Sequence, residues 1–196
     1  MTNIAMEYPS FWREFEREII GGKIMHFTPL GFLQGRPTRR LNTIFDQYFG
    51  GKTCTVFSDE LIQFTKKDKL APDIAVFCKG YEVINNAIHG TPELIVEILS
   101  TATQKRDRGI KKEIYEQCGV KEYWLVDPKN LAIEVYKLEN GILILKDFHA
   151  VMEGWEKEEV VKDGGEITSH ILTTPLFEGF VIDLTEVFQD ILNKEG

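Results

Sequence analysis

The sequence is poor in cysteine and histidine, lacks long apolar runs and has no excess of basic residues; each shortage removes a class of protein. Cys54, Cys78 and Cys118 are odd in number and widely separated, which fits neither a disulfide framework nor a CxxC zinc knuckle. Each lies beside apolar residues, so all three are expected to be reduced, in or near a core. His26, His89, His149 and His170 show no HxH or HxxxH spacing, so a metal site here would be built from carboxylates. No segment approaches the roughly 18–20 apolar residues of a membrane helix. The first twenty residues also lack the basic, apolar and small-residue regions of a signal peptide. No membrane partner is expected, and the expected compartment is cytoplasmic. With 23 Lys and Arg against 31 Asp and Glu, the formal charge of −8 argues against a basic coat wrapping nucleic acid, while a local basic groove stays compatible with it.

What is present suits one soluble domain. The 196 residues can bury a good core, and no repeat or Pro/Ser-rich linker divides them, so 1–196 is read as a single domain. Phe11, Trp12, Phe15 and Ile19 recur at helical spacing over 10–20, and Gly21-Gly22 ends the pattern. A short strand, KIMHF, follows. A second helix is predicted from Pro37 to Phe49, where Leu41, Ile44, Phe45 and Tyr48 recur at i, i+3, i+4 and i+7. TCTVF, ELIQF and DIAVF are short strands, followed by a loop from Cys78 to Thr91. PELIVEILS and EYWLV read as buried strands flanking a helix from Gln104 to Cys118, a β-α-β unit. LAIEVYKL and ILILKDF form a hairpin across Asn140-Gly141. LFEGFVI and the closing helix LTEVFQDIL complete a mixed α/β (α+β) fold, a central mixed β-sheet flanked by helices.

Three groups of residues carry chemistry. Glu97 lies within Leu94-Ile95-Val96-Glu97-Ile98-Leu99, where every neighbour favours burial. A carboxylate there costs several kcal/mol of desolvation unless a cation or strong donors compensate it. It is either a half-exposed or Arg-paired acid at the strand exit or a metal ligand. Strand alternation aims it with Ile95 and Leu99, away from Val96 and Ile98. Asp73 heads a second strand directly after Pro72, and the two acids can converge on one face for a hard cation such as Mg²⁺. The third group is Lys105-Arg106-Asp107-Arg108-Gly109-Ile110-Lys111-Lys112, in which Asp107, Lys111 and Tyr115 share one helical stripe. By itself the Asp107–Lys111 pair reads as a surface ion pair; following the Glu97 strand, Lys111 is placed to reach back over the strand end. Asp127-Pro128 reads as a turn, and Tyr123 and Trp124 as core aromatics.

The run APDIAVF, GTPELIVEILS, RDRGIKKEIYEQCGVKEYWLVDP resembles the Uma-two family of restriction-endonuclease-like proteins, within the PD-(D/E)xK nuclease superfamily. EREIIGGKI is similar to the family's opening segment, so the resemblance covers most of the chain. It implies a restriction-endonuclease-like core in which Pro72-Asp73 is the PD element and Glu97 the acid of the (D/E)xK strand. Leu99 stands where that motif expects Lys; in this family a Lys of the following helix takes over, and Lys111 matches it, with Asp107 one turn before. Gln34 stands where relatives usually have His. It can hydrogen-bond but cannot shuttle a proton.

The implied activity is metal-dependent endonuclease hydrolysis of DNA. Asp73, Glu97 and the Ile98 carbonyl would hold Mg²⁺ or Mn²⁺, and Lys111 would orient or deprotonate water or steady the phosphate charge. Glu60 is a further candidate carboxylate, with a solvated strand edge as its other reading. Lys105, Arg106 and Arg108 are candidate contacts to substrate phosphates. The resemblance also suggests a homodimer, with ILILKDF as an apolar strand available to an interface. Two alternatives stay open. One is a catalytically idle nucleic-acid- or protein-binding module, favoured by Gln34, Leu99 and the acidic charge; the other is a metal hydrolase of smaller phosphoesters.

Overall fold

A computed structural model describes residues 17–26 and 31–193. The strands are β1 (Arg17–Ile20), β2 (Lys23–His26), β3 (Thr55–Phe57), β4 (Ile62–Thr65), β5 (Asp68–Leu70), β6 (Ile74–Phe77) and β7 (Glu82–Ile84). They continue with β8 (Ala87–His89), β9 (Leu94–Ile98), β10 (Glu122–Asp127), β11 (Ala132–Glu139), β12 (Ile142–Ala150), β13 (Ile171–Thr173) and β14 (Val181–Asp183). The helices are α1 (Phe32–Phe49), α2 (Gln104–Arg106), α3 (Lys112–Gln117), α4 (Gly154–Lys162) and α5 (Leu184–Leu192).

One mixed sheet runs β12-β11-β10-β9-β6-β3, with β9 and β10 parallel and its other pairs antiparallel. Alternation along β9 and β10 divides the core between the two faces of this sheet. Val96, Ile98, Trp124 and Val126 pack with Leu41, Phe45 and Phe49 of α1 and with Leu184, Val187 and Phe188 of α5. Ile95, Leu99, Tyr123 and Leu125 face the other way, onto Ile114 and Tyr115 of α3 and Leu70 of β5. Each of these large apolar side chains contributes roughly 1.5–3 kcal/mol by leaving water. A second sheet, β2-β1-β5-β4-β8-β7, carries Leu70 into that second face.

The mixed α/β reading and the β-α-β unit hold. Four local expectations are corrected. Arg17–Ile20 is a strand, not the end of a helix, because Gly21 and Gly22 adopt φ of 57° and 78° and turn the chain into a hairpin; the rest of that expected helix, 10–16, lies outside the described residues. The loop expected from Cys78 to Thr91 contains the β7–β8 hairpin, which turns at Asn85-Asn86 with both φ positive. Its closure demands glycine at position 90: φ is 144°, and a Cβ would lie 2.7 Å from the Gly80 carbonyl. α1 begins five residues before Pro37, with Gln34 in its first turn. Finally, Cys54 and Cys78 form a disulfide, and only Cys118 is free. Their separation of 24 residues carries no spacing signal; the antiparallel β3–β6 ladder brings them together one step beyond the Thr55–Phe77 pair.

Asp127-Pro128 is a turn, as read: Asp127 Oδ1 accepts from the Lys129 and Asn130 amides at 3.0 and 3.3 Å. Tyr123 and Trp124 are fully buried. Among the described residues no helix is long and apolar enough to cross a membrane.

Candidate active site

The geometry starts from two ladders. In the β6–β9 ladder Ile74 pairs with Val96, so the next position sets Asp73 against Glu97. The Ile98 amide donates to Asp73 Oδ2 at 2.6 Å and fixes the carboxyl against β9. In the parallel β9–β10 ladder Glu97 stands beside Leu125, and both side chains of this pair lie on the face occupied by α3.

The helix after β9 supplies the cation. Between α2 and α3 the chain makes one wide turn, Asp107–Lys111, kinked at Gly109, and Asp107 and Lys111 are both buried in it. Lys111 Nζ lies 2.8 Å from Glu97 Oε1, 2.9 Å from Glu18 Oε1 and 3.7 Å from Asp107 Oδ1. The Tyr115 hydroxyl donates to Glu97 Oε1 at 2.6 Å, and the Tyr123 hydroxyl donates to the Asp107 carbonyl at 3.0 Å. Glu18, on β1, also accepts from the Ala71 amide at 3.2 Å, and its Oε2 lies 3.6 Å from Arg106 Nη2.

Glu18 is the member of this cluster that sequence reasoning missed. Ile19 and Ile20 follow it, but Arg17 precedes it, so it lacks the apolar flanks on both sides that mark Glu97, and the helical reading of that segment concealed it further. The chosen accessory acid Glu60 is exposed on the β3–β4 connection. Its neighbour Asp59, at φ 57°, is tied to the site by a 3.1 Å bond from its amide to the Pro72 carbonyl. Gln34 Nε2 reaches the Leu99 carbonyl at 3.4 Å, at the rim of the same strand end. Of the three candidate phosphate contacts, Arg106 faces Glu18, Arg108 grips Glu134 with 2.7 and 2.6 Å bonds, and Lys105 is exposed.

Electrostatics follow from burial. Glu18, Asp73, Glu97 and Asp107 are buried with Lys111, beside the partly buried Arg106, so acids outnumber cations. Desolvation pushes Asp73 up to about 7, against the lowering effects of the Ile98 amide and Lys111. Desolvation likewise raises Glu97 well above the usual carboxylate range, and Asp107 is raised for the same reason. Burial alone would lower the Lys111 ammonium; Glu97, Glu18 and Asp107 together hold it above its ordinary value, so it stays charged at neutral pH. Glu18 Oε2 and Asp107 Oδ1 are buried without a hydrogen-bond donor.

Among the described residues no three His, Cys, Asp or Glu side chains converge as a ready ligand set. The donors present are a carboxylate pair and the adjoining Ile98 peptide. These are hard oxygen donors in a cluster short of positive charge, the donor type that hard divalent cations prefer.

The Uma2 family, described as "Putative restriction endonuclease", matches residues 6–169. An uncharacterized protein of Synechocystis sp., slr1290, is 29% identical over 115 residues, covering 57% of this chain and 60% of that protein. The chain thus aligns with about three fifths of this curated relative's length. The fold is similar to a crystal structure from Anabaena variabilis described as a putative nuclease belonging to DUF820, with a TM-score of 0.68 at 16% identity, over 88% of this chain and 89% of that one.

Proposed function

The chain belongs to the Uma2 family, and from that premise we propose that it is a metal-dependent endonuclease hydrolysing DNA phosphodiester bonds at Asp73, Glu97 and Lys111. The observation that carries this reading is the buried Lys111 ammonium, held by Glu97, Glu18 and Asp107 across from Asp73. Four buried acids share Lys111 and the partly buried Arg106, and such an uncompensated excess of negative charge is characteristic of functional sites.

Asp73, Glu97 and the Ile98 carbonyl would hold Mg²⁺ or Mn²⁺, which supplies Lewis-acid activation of water and of the phosphate. The protein's own groups are arranged in support. The Ile98 amide holds Asp73, and Tyr115 and Lys111 together fix the Glu97 rotamer by gripping one oxygen. Lys111, protonated, offsets negative charge that develops on the scissile phosphate and is not a proton acceptor in this state. Of the roles expected for it, charge stabilisation is therefore favoured. Gln34 adds a hydrogen-bonding group at the rim and no proton shuttle.

The test is cleavage of supercoiled plasmid and single-stranded DNA with Mg²⁺ or Mn²⁺, comparing wild type with Glu97→Ala. Metal-dependent cutting lost in the variant is the expected result. No cutting by folded wild type would favour the binding module, the reading that Gln34 supports. A homodimer remains part of the proposal: β12 is an edge strand exposing Ile142, Ile144, Leu145 and Phe148, suited to a second copy. Light scattering that returns a monomer would remove that part.

A further inference from the structure

With Arg106 and Arg108 engaged by Glu18 and Glu134, Lys105 is the one of the three candidate phosphate contacts left exposed and without an acidic partner, and a polymeric substrate calls for more positive charge than that. The β1–β2 and β4–β5 hairpins supply it. Their tips are joined: the Gly22 amide donates to the Lys67 carbonyl at 2.9 Å, and the Gly21 amide donates to Asp68 Oδ1 at 2.7 Å. Asp68 Oδ2 accepts from the Thr65 hydroxyl, so both carboxylate oxygens of the one acid in this tip are occupied. Around it stand Lys23, Lys66, Lys67 and Lys69, the first three exposed and Lys69 half-buried. Among the described residues none of the four has an acidic partner within 4.0 Å, unlike Arg40, Arg106, Arg108, Lys111, Lys112 and Lys137; Lys105 and Lys162 lack one too, and what sets the four apart is that they share one joined tip.

We propose that these joined hairpin tips are a phosphate-binding surface that grips the nucleic-acid flank of the cleavage site. The inference rests on the nuclease reading and adds a substrate contact to it. Continuity of the chain sets the spacing. β5 runs through Ala71 and Pro72 into Asp73, and β1 carries Glu18 into the acidic cluster. Lys69 is four residues from Asp73 and Lys67 six, a reach of at most roughly 14 and 21 Å. At about 3.4 Å of duplex axis per nucleotide of one strand, this reach keeps the tips within about six nucleotides of the phosphate being cut. In a chain of net charge −8, four lysines against one saturated aspartate form a local attraction for a polyanion.

The test is fluorescence anisotropy of the full chain with a 30-base-pair duplex and Ca²⁺ in place of Mg²⁺, from 50 to 200 mM salt. It compares wild type, the double variant K66Q/K67Q, and K162Q as an exposed control on α4, with circular dichroism to verify folding. The expected result is a salt dependence, as log K against log salt, shallower by about 1.8 in K66Q/K67Q, which is about 0.9 per lost phosphate contact; K162Q matches wild type. Wild-type affinity and slope in K66Q/K67Q would overturn the hairpin surface while leaving the nuclease reading intact. A folded wild type that binds no duplex across this salt range would likewise overturn the hairpin proposal. The nuclease reading fails separately, through the Glu97→Ala cleavage comparison.

Discussion

Two glutamates are buried on neighbouring parallel strands, Glu97 on β9 and Glu122 on β10, at opposite ends of their shared ladder. Desolvation raises both carboxyls above their ordinary range. Their company differs. Glu122 accepts from Trp124 Nε1 at 3.0 Å and from the Thr174 hydroxyl at 2.8 Å, two neutral donors. Glu97 shares Lys111 with Glu18 and Asp107 and faces Asp73. Burial alone therefore does not mark a site in this protein. A buried acid satisfied by neutral donors ties elements together; one crowded with more acids than the nearby cations can offset keeps charge available for chemistry.

The comparison is broken most severely by removing the cation. Lys111→Met leaves Glu18, Glu97 and Asp107 without it and is expected to cost about 3–5 kcal/mol in urea unfolding. Adding Glu97→Gln to that variant is expected to recover part of the loss. Glu97→Gln alone should lower cleavage by roughly 10²–10³-fold or more while raising the unfolding midpoint; a lowered midpoint would mean that Glu97 is structural, like Glu122. The opposite end of β6 from Asp73 offers a stability effect without a chemical one. Reducing the Cys54–Cys78 disulfide, which closes a loop of 24 residues, should cost about 3 kcal/mol and leave cleavage per folded molecule unchanged.

The smallest effects belong to Glu122. Glu122→Gln should cost about 1 kcal/mol, with cleavage at the wild-type level. Its carboxyl is raised in the folded state, so between about pH 4.3, the unfolded value, and the folded value the native protein holds more protons than the unfolded chain. Wild type should lose stability relative to Glu122→Gln as pH rises through that window. Parallel stability curves for the two proteins would sink this account.

Legibility from sequence divided along the same line. Glu97 could be read because its strand is apolar on both sides, and alternation correctly aimed it with Ile95 and Leu99. Core strands and α5 were legible for the same reason: their apolar periods are long enough to decide. Glu18 was not, because REII is too short to separate strand from helix, and the deciding contacts, Lys111 and the Ala71 amide, lie 93 and 53 residues away. The disulfide failed to appear for a similar reason, since only the β3–β6 register brings its halves together. Asn85-Asn86 and the Glu153/Glu156 capping box of α4 are local signals, legible without any distant contact.

The wide turn at Asp107–Lys111 also limits how the chain can change length. It joins α2 to α3 with a kink at Gly109, so the residues on either side address the cluster from two differently phased helices. Deleting Gly109 would rotate α2 against α3 by about 100°, swinging Arg106 off Glu18 and Asp107 away from Lys111 with every side chain intact. This segment is therefore constrained in residue count as tightly as in residue identity, and single-residue gaps should be far less tolerated here than in the β11–β12 hairpin.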